Sequence, residues 1–137
     1  MFFEYKIGGG DFTRAGYASS EIKKIMKQLN LDPKLIRRIA VAMYEAEVNV
    51  VAHAYCGIMK VNIEKDKIQI TVKDEGPGIA DLEKAMTEGY STASPHVREM
   101  GFGAGMGLPN MKKNADKLFI ETKEGIGTTV EIICFIS

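Results

Sequence analysis

Asp74-Glu75-Gly76-Pro77-Gly78-Ile79 follows an alternating run over residues 67–73, and its reading decides the fold. Ile68, Ile70 and Val72 share one side of a strand, and two glycines flanking a proline cannot continue it, so the chain must turn after Asp74. Residues 58–64 alternate in the same way, and Lys65-Asp66 joins the two runs as a hairpin. On the simplest reading, Asp74 only opens a turn. The alternative is a carboxylate that accepts a hydrogen bond from an exocyclic amine such as that of adenine, with the glycines letting a flat ring approach the main chain.

On the N-terminal side of this hairpin, residues 1–7 read as a strand that Gly8-Gly9-Gly10 breaks, with Asp11 or Thr13 placed to cap a helix reaching about residue 29. Asn30-Leu31-Asp32-Pro33 stops that helix and starts a longer one, with Asp32 as N-cap and Pro33 at the first helical position. The second helix should run to about Tyr55, with apolar residues on most of its surface. C-terminal to the hairpin come a short helix near 81–88 and a glycine-rich stretch over 89–105 that is long for a connection and reads as a lid. A helix over 106–115 and two strands, 118–122 and 129–136, flanking Gly125-Ile126-Gly127 complete the order. This order predicts a single α+β domain over residues 1–137. It is a two-layer sandwich with helices on one face of a mixed, mostly antiparallel sheet.

The composition excludes several classes. With 137 residues, 45% hydrophobic and 26% charged, the chain is neither disordered nor fibrous. Eighteen basic and eighteen acidic residues cancel, so no long-range field favours nucleic acid or anionic lipid as partner. Cys56 and Cys134 lack CxxC spacing and suggest neither a disulfide framework nor zinc, and Cys56 reads as a small buried hydrophobe. Phe2, Phe3, Tyr5 and Phe12 read as core or, on an edge strand, as a dimer or partner surface, with core the preferred reading. No apolar run approaches the roughly 20 residues of a membrane span. A soluble, cytoplasmic protein is expected.

Glu45, Asn49 and His53 recur every fourth residue and fall within about an 80° arc of their helix. Such a row is either a solvated stripe or a working set: a carboxylate base, an amide oxygen suited to magnesium, and an imidazole that can donate to phosphate. Gly101-Phe102-Gly103-Ala104-Gly105-Met106-Gly107-Leu108 places glycine at alternate positions before a helix, which suits a phosphate cradle. It is not a dinucleotide fingerprint, because Met106 and Leu108 stand where the third glycine would be needed. No P-loop or eukaryotic-type kinase motif occurs in the chain.

Taken together, these pieces resemble the GHKL (Bergerat-fold) ATP-binding superfamily of DNA gyrase and the histidine kinases. Residues 45–54 resemble its N box, 74–79 its G1 box, 101–108 its G2 box, and Gly127-Thr128-Thr129-Val130 its last box. The resemblance implies ATP and Mg²⁺ as cofactors. Glu45 would be the catalytic base, Asn49 the magnesium ligand, and Asp74 the adenine contact, with Gly76, Gly78 and Ile79 alongside. Thr128 would support the ring through a water; Thr129 is the poorer candidate because strand side chains alternate. Gly101, Gly103, Gly105, Met106, Gly107 and Leu108 would close over the phosphates, with His53 and Arg98 adding positive charge.

Asp11-Phe12-Thr13-Arg14-Ala15-Gly16 and Glu88-Gly89-Tyr90-Ser91-Thr92-Ala93 narrow the resemblance to bacterial anti-sigma and switch serine/threonine kinases. That implies phosphorylation of a small STAS-type anti-anti-sigma partner, a sigma factor as second partner, and homodimerisation. The alternative is an ATP-dependent switch that sequesters a sigma factor with little catalysis.

Overall fold

The computed structural model describes residues 1–87 and 107–136. Strand β1 (Phe2–Gly8) leads through a 3-10 turn (Phe12–Arg14) to helices α1 (Tyr17–Gln28) and α2 (Pro33–His53). The hairpin β2 (Cys56–Ile63) and β3 (Lys67–Glu75) precedes a single-turn helix α3 (Leu82–Ala85). Helix α4 (Gly107–Asn114) and strands β4 (Lys117–Lys123) and β5 (Gly127–Phe135) follow. The sheet order is β1-β2-β3-β5-β4, and every pairing is antiparallel.

Period-two alternation builds the core. Ile68, Ile70 and Val72 on β3 are at most 2% exposed, as are Met59 and Val61 opposite them. Ile22 and Met26 of α1, Ile39 and Met43 of α2, and Met111 of α4 are fully buried against this face. Each such side chain contributes about 1.5–3 kcal/mol on burial. Asp32 caps α2 as its sequence predicts, accepting the Lys34 N–H at 2.9 Å with Pro33 at the first helical position.

The structure corrects three expectations. Neither Asp11 nor Thr13 caps α1: the Thr13 hydroxyl donates to Asp11, and α1 starts after Gly16, whose φ of +90° suits glycine. Its first-turn amides turn instead to Glu47 of α2, a residue 2% exposed that accepts from Gly16, Ala18 and Ser19. Cys56 is exposed because it stands one residue out of phase with the buried Gly57; its thiol lies 3.6 Å from Glu75 Oε2. The same alternation on the edge strand β1 leaves Phe2 62% exposed while Phe3 and Tyr5 pack against the core. Among the described residues, no helix is long and apolar enough to cross a membrane.

Candidate functional site

The site grows from one row across the inner face of the sheet. Ile7 pairs with Gly57, Gly57 with Asp74, and Thr122 with Thr128, so strand register brings Asp74, Thr128 and Thr122 to the helix-facing side. Thr129 pairs with Lys73 and belongs to the opposite face, as alternation requires. Asp74 Oδ1 accepts the Thr128 N–H at 3.0 Å, leaving Oδ2 without a hydrogen-bond partner among the described residues. Burial raises the Asp74 pKa above the usual carboxylate range, with the Thr128 N–H opposing that rise.

A hydroxyl chain continues the row. Thr128 Oγ1 lies 2.9 Å from Thr122 Oγ1, which accepts the Ile79 N–H at 2.8 Å. Backbone bonds from Gly76 to the Ile126 carbonyl and from Gly125 to the Pro77 carbonyl tie the glycine turn to the β4–β5 connection. The close approach that Gly78 permits is to the protein itself: with φ at +74°, a Cβ there would lie 2.4 Å from the Lys123 carbonyl oxygen. A Cβ at Gly76 would meet Ala54 at 2.9 Å, so this glycine seats the turn against the end of α2.

The N-box side chains extend away from that junction. Glu45, Asn49 and His53 are all part-buried along α2, and two helical turns place Glu45 about 12 Å from His53 along the axis. Asn110 of α4 donates to Glu45 Oε1 at 3.3 Å, and a Cβ on Gly107 would stand 3.5 Å from Glu45 Oε2. Glu45 therefore faces the first turn of α4. Burial lowers the His53 pKa from its ordinary value, which favours a hydrogen-bonding neutral imidazole over the positive charge expected from sequence. Leu108 packs into the core at 6% exposure and supports α4 from beneath. Gly101, Gly103, Gly105, Met106 and Arg98 lie outside the described residues.

Sequence reasoning missed Thr122, Asn110 and Glu47. Thr122 becomes visible only once the β4–β5 register is known, and Asn110 only once α4 docks on α2. Glu47 had a sequence signal, an acid on the otherwise apolar side of α2.

The donor set fits a magnesium-bound adenine nucleotide. A half-buried carboxylate with an oxygen to spare, beside a hydroxyl, suits an amine and the ring edge next to it. The amide oxygen of Asn49 is a hard ligand. Among the described residues no group of three His, Cys, Asp or Glu could hold a metal alone, so a magnesium ion here would draw other ligands from a triphosphate.

The comparisons agree with this reading. The family model described as the histidine kinase-like ATPase domain matches residues 11–134. The anti-sigma F factor of Caldanaerobacter subterraneus subsp. tengcongensis is 39% identical over 113 residues, covering 77% of this chain and 76% of that protein. The serine/threonine-protein kinase RsbT of Bacillus subtilis is 30% identical over 117 residues, covering 81% and 80%. Among solved structures, the RsbU and RsbW domains of Rv1364c from Mycobacterium tuberculosis superpose with a TM-score of 0.65 at 13% identity, covering 98% of this chain and 32% of that one. The mycobacterial sensor histidine kinase MprB gives 0.56 at 15% identity over 98% of this chain and 97% of its own. These two likenesses speak for the fold. With its boxes in order, the Asp74–Thr128 row at the C-terminal end of α2 and Glu45 two turns back along that helix, the chain belongs to the histidine kinase-like ATPase domain family, among relatives that are anti-sigma factors and a serine/threonine kinase.

Proposed function

We propose that this chain is a cytoplasmic, Mg-ATP-dependent serine/threonine protein kinase and anti-sigma-type regulator that phosphorylates a small STAS-type anti-anti-sigma protein. The supporting observation is the placement of Glu45 and Asn49 one turn apart on α2, with Glu45 beside α4 and Asp74 closing the other end of the row. Bound Mg-ATP would supply the phosphoryl group and most of the metal's oxygen ligands. Asp74 and Thr128 would hold the adenine, and Asn49 would take the magnesium. Glu45, steadied by the Asn110 amide, would accept the proton of the incoming serine or threonine hydroxyl. His53 would donate to a phosphate oxygen as a neutral imidazole.

The test is transfer of labelled phosphate from ATP to a STAS-type partner. Glu45→Ala should abolish it while leaving nucleotide binding intact; an unchanged rate in that variant removes Glu45 from the role of base. The names of the relatives favour a second reading. Anti-sigma F factors at 37–39% identity suggest that nucleotide-dependent capture of a sigma factor, by a homodimer of this chain, is the main task. In that case complex formation survives Glu45→Ala, fails in Asp74→Asn, and requires nucleotide.

A further inference from the structure

Asn110 reaches Glu45 across the junction of α4 and α2, and the chemistry of the two groups fixes the sense of the bond. Asn110 Nδ2 lies 3.3 Å from Glu45 Oε1. An ionised carboxylate only accepts, and within an amide group only the nitrogen donates, so Asn110 must turn its NH₂ to Glu45. Leu108, Pro109 and Met111 are buried on either side of Asn110 and set the rotation of α4. The Asn114 side-chain amide donates to the Asn110 carbonyl at 2.8 Å and closes the last turn of that helix. Among the described residues, Glu45 makes no other hydrogen bond and no ion pair. Its second oxygen, Oε2, is left free beside Gly107, where a Cβ would stand 3.5 Å from it.

We infer that Asn110 is a positioning residue for phosphoryl transfer: by holding Glu45 Oε1 it leaves Oε2, at the first turn of α4, as the atom that takes the proton of the acceptor hydroxyl. The inference rests on the reading of Glu45 as the base. In that step the hydroxyl oxygen bonds to the γ-phosphorus of ATP, its proton passes to Oε2, and the β–γ bridging oxygen leaves with ADP. A neutral donor suits the task better than a cation, because it orients the carboxylate without an ion pair that competes for the incoming proton. Without Asn110 the flexible Glu45 side chain spends less time with either oxygen in place, and such misplacement of a base costs rate rather than affinity.

The experiment compares wild type, Asn110→Leu, Asn110→Asp, Asn110→Gln and Glu45→Ala on the full chain. Steady-state transfer of labelled phosphate from Mg-ATP to the STAS-type protein gives kcat and KM, and calorimetry gives the affinity for Mg-ADP. In Asn110→Leu, kcat should fall about tenfold to thirtyfold, part of the roughly 10²–10⁴-fold that a general base contributes, with KM and Mg-ADP affinity unchanged. Asn110→Asp keeps the shape but sets a second carboxylate against the first, so it should lose at least as much, whereas Asn110→Gln should recover most of the rate. A further readout needs no turnover: by NMR of the nucleotide-free chain, the isotope-labelled Asn110 side-chain amide should shift in Glu45→Ala. If Asn110→Asp keeps the wild-type kcat, or the amide signal ignores Glu45→Ala, the contact merely packs α4 and the inference fails while the base reading stands. A rise in KM with kcat unchanged would assign Asn110 to binding and overturn it as well. If Glu45→Ala transfers phosphate at the wild-type rate, or no STAS-type protein accepts phosphate from wild type, the base reading fails and the inference with it.

Discussion

The Ser19 hydroxyl donates to Glu47 Oε1 over 2.6 Å, joining residues 28 apart in sequence inside the helix layer. The same carboxylate accepts the backbone N–H groups of Gly16, Ala18 and Ser19, so a side chain of α2 caps α1. First-turn amides have no partner within their own helix, and at a buried helix start water does not replace one. Glu47 lies two residues from both Glu45 and Asn49, on the opposite side of α2, so this clamp also fixes the helix that carries the N box.

Glu47→Ala should cost about 3 kcal/mol or more, because it strands several buried donors at once, and Glu47→Gln about 1–2 kcal/mol, because the amide oxygen keeps some of them. Urea unfolding midpoints at equal m-values check both. A loss under about 1 kcal/mol in Glu47→Ala would show that α1 finds another cap.

Asp74→Asn should leave the unliganded fold close to wild type, since the amide oxygen can still accept the Thr128 N–H. It should remove most of the rise in melting temperature caused by Mg-ATP and Mg-ADP, because a ligand stabilises only as far as it binds the native state. Differential scanning fluorimetry with and without nucleotide reads both effects.

The pH dependence of Asp74 has a definite sign. Its folded pKa is raised, so between the ordinary value and the raised one the native state binds more protons than the unfolded chain, and this residue's contribution to stability grows as pH falls. His53 works the other way: its folded pKa is lowered, so its contribution is present above about pH 6.5 and is lost as pH falls through that region. Stability measured from pH 4 to 8 should fall less steeply below about pH 6.5 in His53→Gln than in wild type. Parallel curves for the two proteins would mean that burial does not perturb the imidazole.

Three glycines with positive φ separate strain from crowding. Gly10→Ala meets nothing within 4 Å and should cost about 1 kcal/mol for the left-handed backbone alone. Gly78→Ala would put a methyl 2.4 Å from the Lys123 carbonyl oxygen, and Gly127→Ala one 2.1 Å from that of Asp74. Both should cost about 3 kcal/mol or more and weaken nucleotide binding, because each displaces backbone that shapes the Asp74 row. Equal melting temperatures for Gly10→Ala and Gly78→Ala would contradict the packing.

Most strands were legible because each buries one face, and a period of two survives any tertiary arrangement. Asp32 and Pro33 marked the start of α2 because cap chemistry is local. The start of α1 was not legible: its cap comes from Glu47, distant in sequence, and local polar residues pointed to Asp11 and Thr13 instead. Cys56 departs from its sequence reading because burial at a strand end depends on phase, and Gly57 holds the inward position.

The sequence by itself determined the α+β layer order, the family and the residue types at the two ends of the cleft, since periodicity, caps and glycine spacing act over a few residues. The tertiary structure alone decided that the Thr128 N–H is donated to Asp74, that Thr122 completes the row, and that Asn110 holds Glu45. It also set the direction in which the His53 pKa moves, because desolvation depends on what packs around a side chain. The three contacts follow from strand register or from the docking of α4 on α2. Contacts of that kind join residues 54 and 65 positions apart, a separation at which local sequence carries no signal.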